Sequence, residues 1–106
     1  KKINEKYLAC HFHDTYGQAL ANILKALEFG ITTFDSSVSG LGGCPYARGA
    51  TGNVATEDVV YMLEDLGYST GIDMDALLKT AKYITEEMGL KNNSRVSKAL
   101  LSSSYG

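Results

Sequence analysis

The chain has 106 residues, 44% hydrophobic and 21% charged, with a formal net charge of −2. That length holds one small domain, the apolar share excludes disorder, and the slight acidity excludes a broad nucleic-acid footprint, which needs a basic surplus. No apolar run approaches the roughly 20 residues of a membrane span, and Cys10 and Cys44 are too few for a disulfide framework, so free thiols in a reducing compartment are expected.

The start, Lys1-Lys2-Ile3-Asn4-Glu5-Lys6, is charged, is unlike a secretory leader and leads into a strand-like run. Tyr7 to His13 reads as a buried strand, with Ala9, His11 and His13 on one face and Leu8, Cys10 and Phe12 on the other. Asp14-Thr15-Tyr16-Gly17 is a turn with capping residues. A helix then runs to about Phe29, with Leu20, Ile23, Leu24 and Leu27 at helical spacing and Gly30 as its stop. Ile31 to Val38 is rich in β-branched and aromatic residues and reads as a second strand.

Next comes Gly40 to Asn53, which gathers five glycines and the chain's only proline around Cys44. Such a loop loses much backbone entropy on ordering, a cost that suits close approach of backbone to a ligand. A second helix is expected to start near Asn53 as N-cap, with Glu57 and Asp58 in its first turn. Val59, Val60, Met62, Leu63 and Leu66 form its stripe, and Gly67 ends it. Tyr68 to Ile72 is a connector. Asp73 caps a third helix to about Met88, with Leu77, Leu78, Ala81, Ile84 and Met88 as its buried stripe, and Gly89 stops it. From Lys91 onward the sequence is polar, and Ser102 to Gly106 reads as a frayed tail.

Strand, helix, strand, helix, helix is the order of βα units with a parallel sheet. Two strands cannot make a stable α/β domain alone, so the chain reads as a piece of a larger barrel or sheet. Both chemistry-bearing segments lie past strand C-termini, where parallel α/β folds build active sites.

His11 and His13 on one strand face lie roughly 6.5–7 Å apart at Cα. They suit two nitrogen ligands of a first-row divalent ion; the plainer reading is one core histidine and one bonded to a loop carbonyl. Asp14 reads as a helix cap before it reads as a ligand. Cys44 can serve as proton donor, proton acceptor or nucleophile, or as a small hydrophobe filling a turn. The glycines make neither a Walker A loop nor a dinucleotide fingerprint. Arg48 is either an anion contact or a solvated side chain. Asn53 caps a helix or lends its carbonyl oxygen to the metal. Glu57, one turn on, orients Asn53 or a ligand, or simply complements the helix dipole. Asp35, in phase with Thr33 and Ser37, points into the barrel or joins a polar network.

His11 to Asn22 closely resembles the metal-binding segment of the 3-hydroxy-3-methylglutaryl-CoA lyase family. Gly40-Leu41-Gly42-Gly43-Cys44-Pro45-Tyr46-Ala47 is similar to that family's signature loop, and Gly52 to Asp58 continues the match. The likeness runs from about Tyr7 to Lys98. Related metal-dependent aldolases and Claisen-type synthases share the His-x-His idea and the barrel, but the cysteine in the Gly-Gly-Cys-Pro loop points to the lyase. The resemblance implies an α/β fold, the C-terminal part (last three βα units) of a (β/α)8 TIM barrel. Residues 1–98 are then a partial catalytic domain, pyruvate carboxyltransferase-like or HMG-CoA lyase-like, and 99–106 a flexible tail.

The resemblance also implies a divalent cation, Mg²⁺ or Mn²⁺, held by His11, His13 and Asn53. Cys44 becomes the catalytic loop cysteine, His11 a further participant in proton transfer, and Glu57 an acidic position near the site. The implied reaction cleaves 3-hydroxy-3-methylglutaryl-CoA, an acyl-CoA substrate, to acetyl-CoA and acetoacetate, in ketone-body formation and leucine breakdown. No nucleic acid or membrane partner is implied, and the full-length protein is expected to be a homodimer. Its place is the mitochondrial matrix in a eukaryote and the cytoplasm in a bacterium; the chain ends Ser104-Tyr105-Gly106, not in a peroxisomal tripeptide. The family's N-terminal portion, with a metal-binding Asp and a catalytic Arg, has no counterpart here, so the isolated piece is expected to be inactive. The competing readings are a related aldolase or Claisen-type acyl-CoA synthase, and a non-catalytic fragment.

Overall fold

The computed structural model of the chain describes residues 3–42 and 52–105. Strand β1 (Cys10–His11) leads to helix α1 (Ala19–Glu28), strand β2 (Phe34–Asp35), and helices α2 (Thr56–Asp65), α3 (Met74–Met88) and α4 (Arg95–Tyr105). Short 3-10 turns occupy Glu5–Tyr7 and Val38–Gly40. The two strands pair in parallel, with Cys10 opposite Phe34 and His11 opposite Asp35. Single bridges extend the sheet: His13 with Asn53, antiparallel, and Ser37 with Ala55, parallel.

The core lies on one side of this sheet. Ala19 and Ile23 of α1 meet Val54 and Val59, and Phe12, Leu20, Leu27, Phe34, Met62 and Leu63 pack around them. Alternation along β1 and β2 sends Cys10, Phe12 and Phe34 toward these helices and leaves Ala9, His11, His13, Thr33 and Asp35 on the open side. The period-2 pattern read from the sequence is therefore the one the strands use.

The helix boundaries follow local chemistry. Phe29 closes α1 with backbone bonds to Ala26 and Leu27, and Gly30 follows at φ 85°. Asp73 caps α3 by accepting from the Asp75 and Ala76 N–H groups, and Gly89 ends it in the left-handed region at φ 62°.

Several expectations are corrected. The strands are two residues each rather than seven or eight. Parallel pairing forms only where β1 and β2 face each other, and Glu5–Tyr7 turns instead of extending, its start held by the Asn4 side chain accepting from the Lys6 N–H. The described residues show two short strands, and Asn53 and Ala55 are bridged to the same sheet just ahead of α2. Helix α2 begins at Thr56 with Ala55 as N-cap, not near Asn53, because Asn53 is engaged in the bridge to His13. Leu66 and Met88, assigned to buried stripes, are 53% and 63% exposed, since each ends its helix beyond the packed turns. The polar stretch after Lys91 is not featureless, because α4 runs through most of the segment read as tail. Its start is fixed by Ser94, whose Oγ accepts from the Ser97 N–H and donates to the buried Asp58 carboxylate at 2.7 Å.

Candidate functional site

The two histidines sit at the C-terminal end of β1, on the open face. Their ring centroids are 5.3 Å apart with planes at 61°, so the rings share one side of the sheet, as the alternation requires. His11 ends β1, and its Nδ1 lies 3.5 Å from Oδ2 of Asp35, its partner on β2. The Gly52–Val54 segment runs beside residues 12–14: the Asp14 N–H donates to the Gly52 carbonyl at 3.2 Å and the Val54 N–H to the Phe12 carbonyl at 3.4 Å. That lays Asn53 beside His13.

Asn53 is half-buried, and its Nδ2 donates to the Leu41 carbonyl at 3.3 Å. An amide whose NH₂ is turned to a carbonyl presents its Oδ1 as an electron-pair donor elsewhere. The orientation comes from the Gly40–Gly42 segment, which passes directly against Gly52 and Asn53. Gly52 has φ 91°, and a Cβ there would overlap the Gly42 carbonyl, so only glycine fits the crossing.

Glu57 is wholly buried, with its carboxylate bonded to Ser39. Its Oε1 and Oε2 accept from the Ser39 N–H at 2.8 and 3.1 Å, and its Oε2 also accepts from the Ser39 Oγ at 3.3 Å. Ser39 has φ 58°, the left-handed region. Glu57 thus reaches Ser39 rather than Asn53. Asp14 acts as the cap-like residue expected of it, its Oδ1 accepting from the Ala19 N–H at 3.1 Å. Cys44 and Arg48 lie outside the described residues.

A polar cavity of about 390 Å³ adjoins this cluster, lined by Asp14, Tyr16, Asn53, Lys91, Arg95 and Lys98 among others. Sequence reasoning missed it, because its three cations lie some forty residues beyond Asn53, Arg95 and Lys98 on α4 and Lys91 just ahead of it. It also missed the Asp35–His11 pairing. Asp35 was placed on the right face, but nothing in the spacing gives the register that sets the two residues opposite each other.

Among the described residues no group of three or more His, Cys, Asp or Glu side chains forms a metal cage. The candidate donors expected from the sequence are two imidazoles and one amide oxygen. Such a mixed nitrogen–oxygen set fits part of the coordination of a first-row divalent ion, with positions left for other oxygens.

Comparison with known proteins bears on the same residues. The HMGL-like family model matches residues 1–84. The chain belongs to the HMGL-like family. Among HMGL-like proteins, it is 57% identical over 99 residues to "Hydroxymethylglutaryl-CoA lyase, mitochondrial" of Gallus gallus, covering 93% of this chain and 33% of that protein. It is 54% identical over 99 residues to "3-hydroxy-3-methylglutaryl-CoA lyase, cytoplasmic" of Rattus norvegicus, covering 93% and 29%. A solved structure of hydroxymethylglutaryl-CoA lyase from Pseudomonas aeruginosa superposes with a TM-score of 0.89 at 60% identity, over 93% of this chain and 33% of that one. The chain therefore spans about a third of the length of the HMGL-like relatives it matches. The resemblance read from the motifs is borne out, and the described residues are an α/β fragment of a TIM-barrel family.

Proposed function

We propose that the chain is the C-terminal part of a divalent-metal carbon–carbon lyase that cleaves 3-hydroxy-3-methylglutaryl-CoA to acetyl-CoA and acetoacetate. The observation that carries the reading is the nearness of the His11 and His13 rings, with the backbone of Asn53 bridged to His13. The cavity with Lys91, Arg95 and Lys98 beside Asn53 supports a substrate with a polyanionic end, as an acyl-CoA has.

Retro-aldol cleavage requires loss of the proton on the tertiary hydroxyl, breakage of the adjoining carbon–carbon bond, and protonation of the thioester enolate that leaves. Mg²⁺ or Mn²⁺, when bound, would supply Lewis-acid stabilisation of the developing alkoxide. In this reading His13, Asn53 through Oδ1, and His11 through the ring nitrogen not turned to Asp35 would hold that ion. Metal ligation and proton transfer compete for the same His11 nitrogen, and the pairing with Asp35 supports ligation. Cys44 is proposed as the acid that protonates the enolate. Glu57 acts at one remove, by holding Ser39 in the turn that leads to Leu41, the partner of Asn53. The full-length protein is proposed to be a homodimer. Its compartment is proposed to follow its source, mitochondrial matrix or cytoplasm; the relatives' names include both "mitochondrial" and "cytoplasmic".

The test is acetoacetate release from 3-hydroxy-3-methylglutaryl-CoA by the full-length parent in Mg²⁺ or Mn²⁺. His13→Ala and Cys44→Ser are each expected to lower kcat by at least about a hundredfold, the scale of losing one acid–base or electrostatic element. Condensation of another acyl-CoA or keto acid without acetoacetate release would replace the reading with a synthase. Full activity in Cys44→Ser would remove the thiol from the chemistry.

A further inference from the structure

We infer that Asp35 is a positioning residue for His11: it holds the imidazole by Nδ1 and so fixes which ring nitrogen faces the candidate ion site. The inference rests on the metal reading above.

The backbone sets the pair before any side chain is considered. His11 and Asp35 are the terminal residues of two adjacent parallel strands and are direct register partners. Partners in a ladder lie close at Cα and project to the same face, so their side chains are neighbours by construction. The side chains approach each other, with Nδ1 of His11 3.5 Å from Oδ2 of Asp35, an ion-pair distance at the outer edge of hydrogen-bonding range between two side chains that are 50% and 64% exposed. Among the described residues no lysine or arginine forms an ion pair with Asp35 to draw the carboxylate elsewhere.

A neutral imidazole has one N–H and one lone pair, and the partner of one nitrogen decides the state of the other. A carboxylate facing Nδ1 keeps the proton there and leaves the lone pair on Nε2. It also restrains rotation of a side chain that is otherwise half exposed, at 50%. A ligand so oriented binds a cation without first changing tautomer or rotamer. His13, the neighbouring candidate ligand, has a different support, since its backbone is bridged to Asn53. The two histidines are therefore fixed by separate means, one through its side chain and one through its main chain.

The experiment uses the metal-free full-length parent and Mn²⁺ as probe. Asp35→Ala is expected to weaken Mn²⁺ binding in equilibrium dialysis by about 10–100-fold, the usual loss when a ligand's outer partner is removed. Asp35→Asn is expected to recover part of that loss, because an amide oxygen still accepts from Nδ1–H and the shape is kept. Ring ¹⁵N shifts of His11 in the metal-free protein should show a single Nδ1–H tautomer in the parent and a mixture in Asp35→Ala. A variant that merely loosens the fold does not move these shifts selectively while leaving those of His13 alone. Mn²⁺ affinity within twofold of the parent in Asp35→Ala, with His13→Ala strongly impaired, overturns the inference and leaves the metal reading standing. Undiminished Mn²⁺ binding in both His11→Ala and His13→Ala overturns the metal reading and the inference with it.

Discussion

Glu57 has no solvent exposure, and among the described residues no cation pairs with it; its carboxylate is satisfied by the N–H and hydroxyl of Ser39. A buried carboxylate on these terms depends on its donors, and they depend on it. Glu57→Ala leaves the Ser39 N–H buried without a partner and releases a residue held at φ 58°. We expect a loss of about 2–3 kcal/mol in urea unfolding of the full-length parent, and a smaller loss for Glu57→Gln, which keeps one acceptor oxygen. Unchanged unfolding midpoints in Glu57→Ala would show that Ser39 finds another acceptor. At this scale the sequence was legible in part. His11 and His13 on one face follow from period 2 alone, and Asp14 behaves as the capping residue its type suggests. The partner of Glu57 was not legible, because Ser39 lies eighteen positions away and no periodic rule links them. Asn53 was read as a cap for the same reason: its type is right for one, but a long-range bridge to His13 claims it first.

The helices divide by the kind of signal that ends them. Asp73 and Gly89 bound α3 by local chemistry that any window of the sequence carries, and both positions were legible. Helix α4 was not, because its fixing contact comes from another element. Asp58 of α2 accepts from the Ser94 Oγ at 2.7 Å and from the Val96 N–H at 3.0 Å, pinning the first turn of a serine-rich segment. Without that anchor, eleven residues with three serines near their end have little reason to stay helical. Asp58→Ala is expected to cost about 2 kcal/mol and to raise amide exchange in α4 well above that in α3. Equal protection of both helices in the variant would place the stability of α4 in its own sequence. Since α4 carries Arg95 and Lys98 to the cavity beside Asn53, the same variant should raise KM for the acyl-CoA more than it lowers kcat.

Taken whole, the molecule is a slab of 50 × 36 × 19 Å with a radius of gyration of 14.5 Å. A compact domain of this length has a radius near 13 Å. The excess has a visible origin: helices cover one face of the sheet, and the other, with His11, His13 and Asp35, is open. A parallel sheet is ordinarily covered on both faces, and the matched relatives are about three times as long. The α/β class was legible from element order. Strand length was not, because a strand's extent is decided by its neighbours, and here each strand has one. The 106-residue chain alone is expected to show no measurable lyase turnover and to bind Mn²⁺ far more weakly than the full-length parent, measured side by side by acetoacetate release and equilibrium dialysis. Turnover by the isolated chain would mean that these 106 residues hold a sufficient site.

The crossing of Gly42 over Gly52 leads to one more point. Gly42 and Gly52 lie against each other, so the positions numbered between them, Cys44 included, leave and rejoin the scaffold at one place. A segment whose two ends are already joined can change in composition or length at little cost to the packing of the described residues. New substrate preferences within this family are then most cheaply sought there, as long as both anchoring glycines are left alone.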